Sequence, residues 1–213
     1  MKKGLMLLTV LFLSACSLTM NATPKQTVSA FLDKYKNQDE SVLAQLDETI
    51  NSEYTNEDYR KRYRTLMTNQ YKHLEYEITD EVIENDNAVV QAQITVYDYA
   101  SAINNANNYL NTNPNEFMIE DKTTINENDA DDETTKDQNT NNSLDSNNIK
   151  NSINNMNNYD NDKFTDYKLS QMENVTDTIT YTMEFTLTKV DGKWKMDSLS
   201  NADIEKLHGM FVS

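Results

Sequence analysis

The chain has 213 residues and a formal net charge of −16, with 35 Asp and Glu against 19 Lys and Arg. A surface this acidic does not hold nucleic acid or anionic lipid headgroups by charge, since both require a field of the opposite sign. A single cysteine excludes an internal disulfide, so the fold must rest on a hydrophobic core, and the length suits one domain with unfolded extras.

The chain opens on Met1-Lys2-Lys3-Gly4, followed by an apolar run from Leu5 to Leu13 and then Ser14-Ala15-Cys16. A basic start, a short apolar stretch and small residues before a cleavage point make a secretory leader. The run is shorter than the ~20 residues a spanning helix needs. Its end, Leu13-Ser14-Ala15-Cys16, resembles the lipobox of bacterial lipoproteins. The resemblance implies diacylglyceryl transfer to the Cys16 thiol, then cleavage between Ala15 and Cys16. Residues 1–15 are then a signal peptide and 16–22 a polar tether. The protein is expected on the extracytoplasmic side of the cell membrane, held by lipid on Cys16. Cleavage also removes Lys2 and Lys3, so membrane contact comes from acyl chains and not from charge.

The domain is expected to run from 23 to 213. Thr23-Pro24 sets an N-cap ahead of proline at the first helical position. Val28, Phe31, Leu32 and Tyr35 follow at i, i+3, i+4 and i+7, one apolar stripe of a first helix. Leu43, Leu46 and Ile50 mark a second, short helix. Asn56-Glu57-Asp58 starts a third, with acids favoured in its first turn and a stripe of Tyr59, Tyr63, Leu66, Met67 and Tyr71. Arg60, Lys61, Arg62 and Arg64 lie on the opposite face. This basic run can meet an acidic partner or pair with Glu57 and Asp58 as a solvated face.

The hydrophobic period then changes to that of a strand. Leu74, Tyr76 and Ile78 alternate with Glu75, Glu77 and Thr79. After the turn composition Asn85-Asp86-Asn87, Ala88, Val90, Ala92, Ile94 and Val96 alternate with polar residues, which predicts a hairpin with one buried face. Ala102, Ile103, Ala106, Tyr109 and Leu110 give another helical stripe, which Asn113-Pro114 should end. From about 120 to 162 the chain is Asn, Asp, Thr and Ser with isolated apolar residues. Such a stretch buries too little to offset ~1–2 kcal/mol of backbone entropy per residue, and reads as a disordered insertion. Phe164, Tyr167, Leu169 and Met172 predict a short returning helix. Ile179, Tyr181, Met183, Phe185 and Leu187 form one face of the clearest strand. Asp191-Gly192 then turns the chain, and Trp194 and Met196 are expected inward, near Met183 or Phe185. Ser200 to Asp203 looks like a capping box, with Asp in place of Glu, for a closing helix whose stripe is Ile204, Leu207 and Phe211.

Helices grouped ahead of antiparallel strands mean α+β. The opening helix with Val28, Phe31 and Leu32, and the ending Val190-Asp191-Gly192-Lys193-Trp194-Lys195-Met196, resemble the NTF2-like, or cystatin-like, domains of small bacterial lipoproteins. The resemblance implies a cone in which N-terminal helices pack on a curved antiparallel sheet, often with a pocket between sheet and helices. The long insertion departs from that pattern.

No catalytic set emerges from the residues. His73 and His208, the only histidines, are expected at helix C-termini, where the dipole favours a cation. No Gly-x-Ser-x-Gly occurs, and the one thiol is the lipidation site. Asp129 to Asp132 and Asp160 to Asp162 lack the glycine turn and the closing Glu of a calcium loop and read as solvated acids, so no metal and no cofactor is expected. The expected function is therefore that of a non-enzymatic lipid-anchored envelope protein binding a protein partner or small ligand at the membrane surface. The alternative is an NTF2-like enzyme with an acid–base pocket.

Overall fold

The computed structural model describes residues 22–119 and 159–212. The signal peptide with Ala15 and Cys16, the tether up to residue 21, and the expected insertion between 120 and 158 lie outside the described residues. Among the described residues are six α-helices, a 3-10 turn and a four-stranded antiparallel sheet, so the fold is α+β. In chain order they are α1 Pro24–Lys36, α2 Glu40–Glu53, α3 Glu57–His73, β1 Glu75–Glu84, β2 Asn87–Tyr97 and α4 Tyr99–Thr112. The 3-10 turn Pro114–Phe117 follows, then α5 Asn161–Glu173, β3 Thr178–Val190, β4 Lys193–Met196 and α6 Asn201–Leu207. The strands lie in the order β1-β2-β3-β4. The chain divides into two units, one running up to Asn107 and resuming at Asp166, the other Asn108–Thr165.

In the first unit the helix starts follow local chemistry. The Thr23 hydroxyl accepts from the Gln26 N–H at 3.2 Å while the Gln26 side chain accepts from the Thr23 N–H at 2.9 Å. This reciprocal cap, with Pro24 in the first turn, fixes where α1 begins. Asp39 and Asn56 cap α2 and α3 through their side-chain oxygens. Each helix turns its stripe to one common core: Val28 and Leu32 of α1, Leu46 and Ile50 of α2, and Leu66 and Met67 of α3 form one buried cluster with Val90, Ala92 and Ile94 of β2 and Met183, Phe185 and Leu187 of β3. The other sheet face carries Thr and Gln, as in an antiparallel sheet wetted on one side.

The first hairpin starts one residue later than the alternation suggests, because Leu74 is taken up as the fully buried C-cap of α3. Thr79 is an extra residue in β1, between the pairs Ile78↔Ala92 and Asp80↔Gln91. A bulge of this kind reverses the faces beyond it. Glu81 and Ile83 thereby come to lie opposite Val90 and Ala88 on the helix side, and Val82 turns outward. Glu81 uses that position to accept from the Lys25 backbone N–H at 2.9 Å, placing a carboxylate at the N-terminus of α1 where the dipole favours it.

Two expectations about the C-terminal part are corrected. Trp194 does share the core face of β4, but its partner is Lys189 and not Met183 or Phe185, because the tight Asp191-Gly192 turn pairs Val190 with Lys193. The indole is half-buried at the sheet's end, with Lys189 Nζ 5.5 Å from its ring centre. Trp194→Ala is accordingly expected to cost about 2 kcal/mol, below the ~3–5 of a central aromatic, read as a shift in the urea midpoint. Secondly, α6 stops at Leu207, since Gly209 turns away at φ 67. Phe211 lies past the helix, its ring edge-on to Tyr181 at 6.0 Å and its carbonyl accepting from the Tyr181 hydroxyl at 3.2 Å.

In the second unit α4 ends before Pro114, as the Asn113-Pro114 pair predicts. Phe117 is buried with its ring edge-on to Phe164 at 5.4 Å. The expected insertion boundary at 162 is too late. Tyr159 pairs with Met118 in an antiparallel bridge, and α5 begins at Asn161. Asp160, weighed above as a cation ligand, accepts from the Lys163 N–H at 3.0 Å and so caps that helix. Asp129 to Asp132 lie outside the described residues.

Candidate functional site

Within the first unit, α1, α2, α3, α6 and the residues just after α6 line a partly open cavity of about 140 Å³. Its location differs from the expectation, because the resemblance implies a pocket between sheet and helices whereas this one lies among the helices. An apolar cavity of ~150 Å³ is large enough for a benzene ring. Val42, Leu46, Ile204 and Met210 give the apolar part of its wall. The rest is aromatic and polar. Tyr35 ends the α1 stripe; Tyr63 and Tyr71 stand on the α3 stripe; His208 is the C-cap of α6.

The Tyr71 hydroxyl and His208 Nε2 are 3.1 Å apart, one hydrogen bond whose donor depends on the imidazole tautomer. Burial pushes His208 down to about 4, so the ring is neutral at pH 7. This corrects the expectation of a helix-end cation: the residue is at a C-terminus, but desolvation outweighs the dipole. Burial also pushes the Tyr35 phenol up to about 12 and raises those of Tyr63 and Tyr71, which keeps all three protonated as donors. The Tyr63 hydroxyl donates to Met210 Sδ at 3.4 Å. Glu53, at the C-terminal end of α2, has its carboxyl raised by burial, opposed by the charge of Lys168. Glu205 joins it in the wall.

A polar clasp holds His208 in place. Gln70 is fully buried on α3. Its Oε1 accepts from the Tyr97 N–H at 2.9 Å and its Nε2 donates to the Tyr97 carbonyl at 3.1 Å, so one side chain serves both backbone groups at the end of β2. Gly209 presses onto this pair, and its carbonyl accepts from the Ala100 N–H at 2.7 Å. A Cβ at 209 would overlap the Tyr97 carbonyl oxygen and Gln70 Nε2.

The other candidates are dispersed. His73 is exposed at the end of α3, its ring 5.1 Å from that of Tyr97 and outside the cavity wall. Two residues of the basic run, Arg62 and Arg64, are drawn into ion pairs, though not with Glu57 or Asp58, and Arg60 donates to the Tyr54 carbonyl at 2.5 Å. Arg62 donates to Asp166, to Glu173 at 2.7 Å and to Ser170 at 3.0 Å, while Arg64 donates to Asp47 at 2.6 Å. Ala15 and Cys16 lie outside the described residues. The cavity histidine was within reach of the periodicity: Ile204, Leu207 and His208 stand at i, i+3 and i+4, the spacing of a buried stripe.

Among the described residues no group of three or more His, Cys, Asp or Glu is placed to hold a metal ion, and no helix is long and apolar enough to cross a membrane. Comparison with protein-family models, with curated proteins and with solved structures gives no match.

Proposed function

We propose that this chain is a lipid-anchored lipoprotein of the cell envelope, tethered through Cys16 on the extracytoplasmic side, with an NTF2-like α+β domain that binds a small ligand and performs no chemistry on it. The observation that carries the binding role is the cavity itself, benzene-sized, apolar on one side and lined by tyrosines and a neutral His208 on the other. An apolar pocket with a few convergent polar groups is the usual form of a ligand site. The anchoring role draws on Leu13-Ser14-Ala15-Cys16. Three helices ahead of four antiparallel strands support the NTF2-like reading, and the placement of the cavity among helices departs from it.

The Tyr71–His208 pair also motivates a second reading, an NTF2-like enzyme with an acid–base pocket. A base held near 4 is a weak proton acceptor at neutral pH, which favours binding over catalysis. Anchoring is tested by Cys16→Ser. Wild type is expected in the detergent phase after Triton X-114 partitioning and the variant in the aqueous phase, since only the thiol accepts the lipid and two acyl chains hold stably. Both in the aqueous phase overturns the anchor.

A further inference from the structure

We propose that the helix cavity selects a small organic cation, an amine or quaternary ammonium group held against the tyrosine rings and beside the two carboxylates of its wall. This rests on the small-ligand reading above and names the ligand's class. Tyr35, Tyr63 and Tyr71 bring three aromatic rings to a space sized for a few heavy atoms, and Glu53 and Glu205 reach the same wall. Aromatic faces attract cations through their quadrupole, and a desolvated site strengthens that attraction. No lysine or arginine is in the cavity wall, and His208, the one basic group there, carries no charge at pH 7. Lys168 acts on Glu53 from α5 without joining the wall. The hydroxyls of Tyr63 and Tyr71 are already engaged, with Met210 and His208, and the charged groups of the wall are the two carboxylates, Glu53 and Glu205, beside the neutral Gln45, Thr49 and Asn201. That combination disfavours an anion. The chain's net charge of −16 adds a long-range field that concentrates cations and repels anions.

The test is calorimetric titration of the full chain in detergent with choline and with 3,3-dimethylbutan-1-ol, which has the same shape without the charge. Choline is expected to bind saturably, and the alcohol at least about fivefold more weakly. Glu53→Gln should weaken choline severalfold and leave the alcohol unchanged. Glu53→Gln keeps the shape of the side chain at the last residue of α2, so its melting point should stay close to wild type and the variant reads binding and not folding. Equal affinity for the two probes, or binding of the alcohol alone, overturns the cation preference while leaving a cavity for small neutral molecules. Binding of neither overturns the small-ligand reading as well.

Discussion

Gly209→Ala is expected to lose about 2–5 kcal/mol of stability. Two costs combine. A side chain in the left-handed region costs roughly 1–2 kcal/mol, and Gly209 sits there at φ 67. The new methyl would also overlap the Tyr97 carbonyl oxygen and the Gln70 amide, and overpacking of this kind costs about 1–3 kcal/mol. Neither neighbour can retreat cheaply, because Gln70 and the Tyr97 backbone hold each other through two hydrogen bonds. Breaking them leaves buried polar groups unpaired. Against a total of ~5–15 kcal/mol the variant is severely weakened. Gly192→Ala is the matched control: φ is +76, but nothing lies within 4 Å of its would-be Cβ. It should show the conformational cost alone. Urea midpoints of the two variants measure the difference, and equal losses would refute the role of the clasp.

Acidification should destabilise the protein through His208, in a window set by its two pKa values. Unfolded, the imidazole titrates at about 6.5; folded, burial depresses it to about 4. Between those values the unfolded chain binds the proton and the folded one resists it. The stabilising contribution is therefore fully present above pH 6.5 and is lost as pH falls, the loss reaching about 3 kcal/mol by about pH 4. Carboxylates titrate in the lower part of the same window, so the measurement is a comparison of wild type with His208→Gln, in which they cancel. Wild type should lose stability more steeply than the variant from pH 6.5 downward. Parallel curves would show that the ring is solvated in the folded state.

The parts of the fold that could be read in the sequence are those decided by local chemistry. Thr23-Pro24, Asn56 and Ser200 start helices because each supplies an oxygen to a free N–H. The alternation from Ala88 to Val96 and from Ile179 to Leu187 fixes the two central strands because each has one buried face. What could not be read depends on partners distant in sequence. The bulge at Thr79 puts Glu81 beside α1, a contact made with a residue 56 positions away in the chain. The basic run on α3 gives no sign that Asp47, Asp166 and Glu173 are its counter-charges. The cavity needs four helices to form, and no segment alone shows which tyrosines meet. His208 is the intermediate case: its spacing from Ile204 signals burial, but only the tertiary contact with Tyr71 gives it a role.

The pairing of β2 with β3 has a kinetic consequence. It runs unbroken from Asn87↔Thr188 to Tyr97↔Thr178, so the two central strands meet across everything from 98 to 177. Helices α1 to α3 and the first hairpin form one continuous stretch of chain, up to Tyr97, that can assemble before β3 arrives. The sheet cannot be completed until β3 arrives, and pairings of such high contact order are slow. Closing a longer loop adds only ~0.6 kcal/mol per doubling, so the delay comes from topology more than from the length of the intervening chain. During it, the apolar face and free edge of β2 stand open to strands of other molecules. The interval before β3 docks is the period in which this chain is most exposed to aggregation.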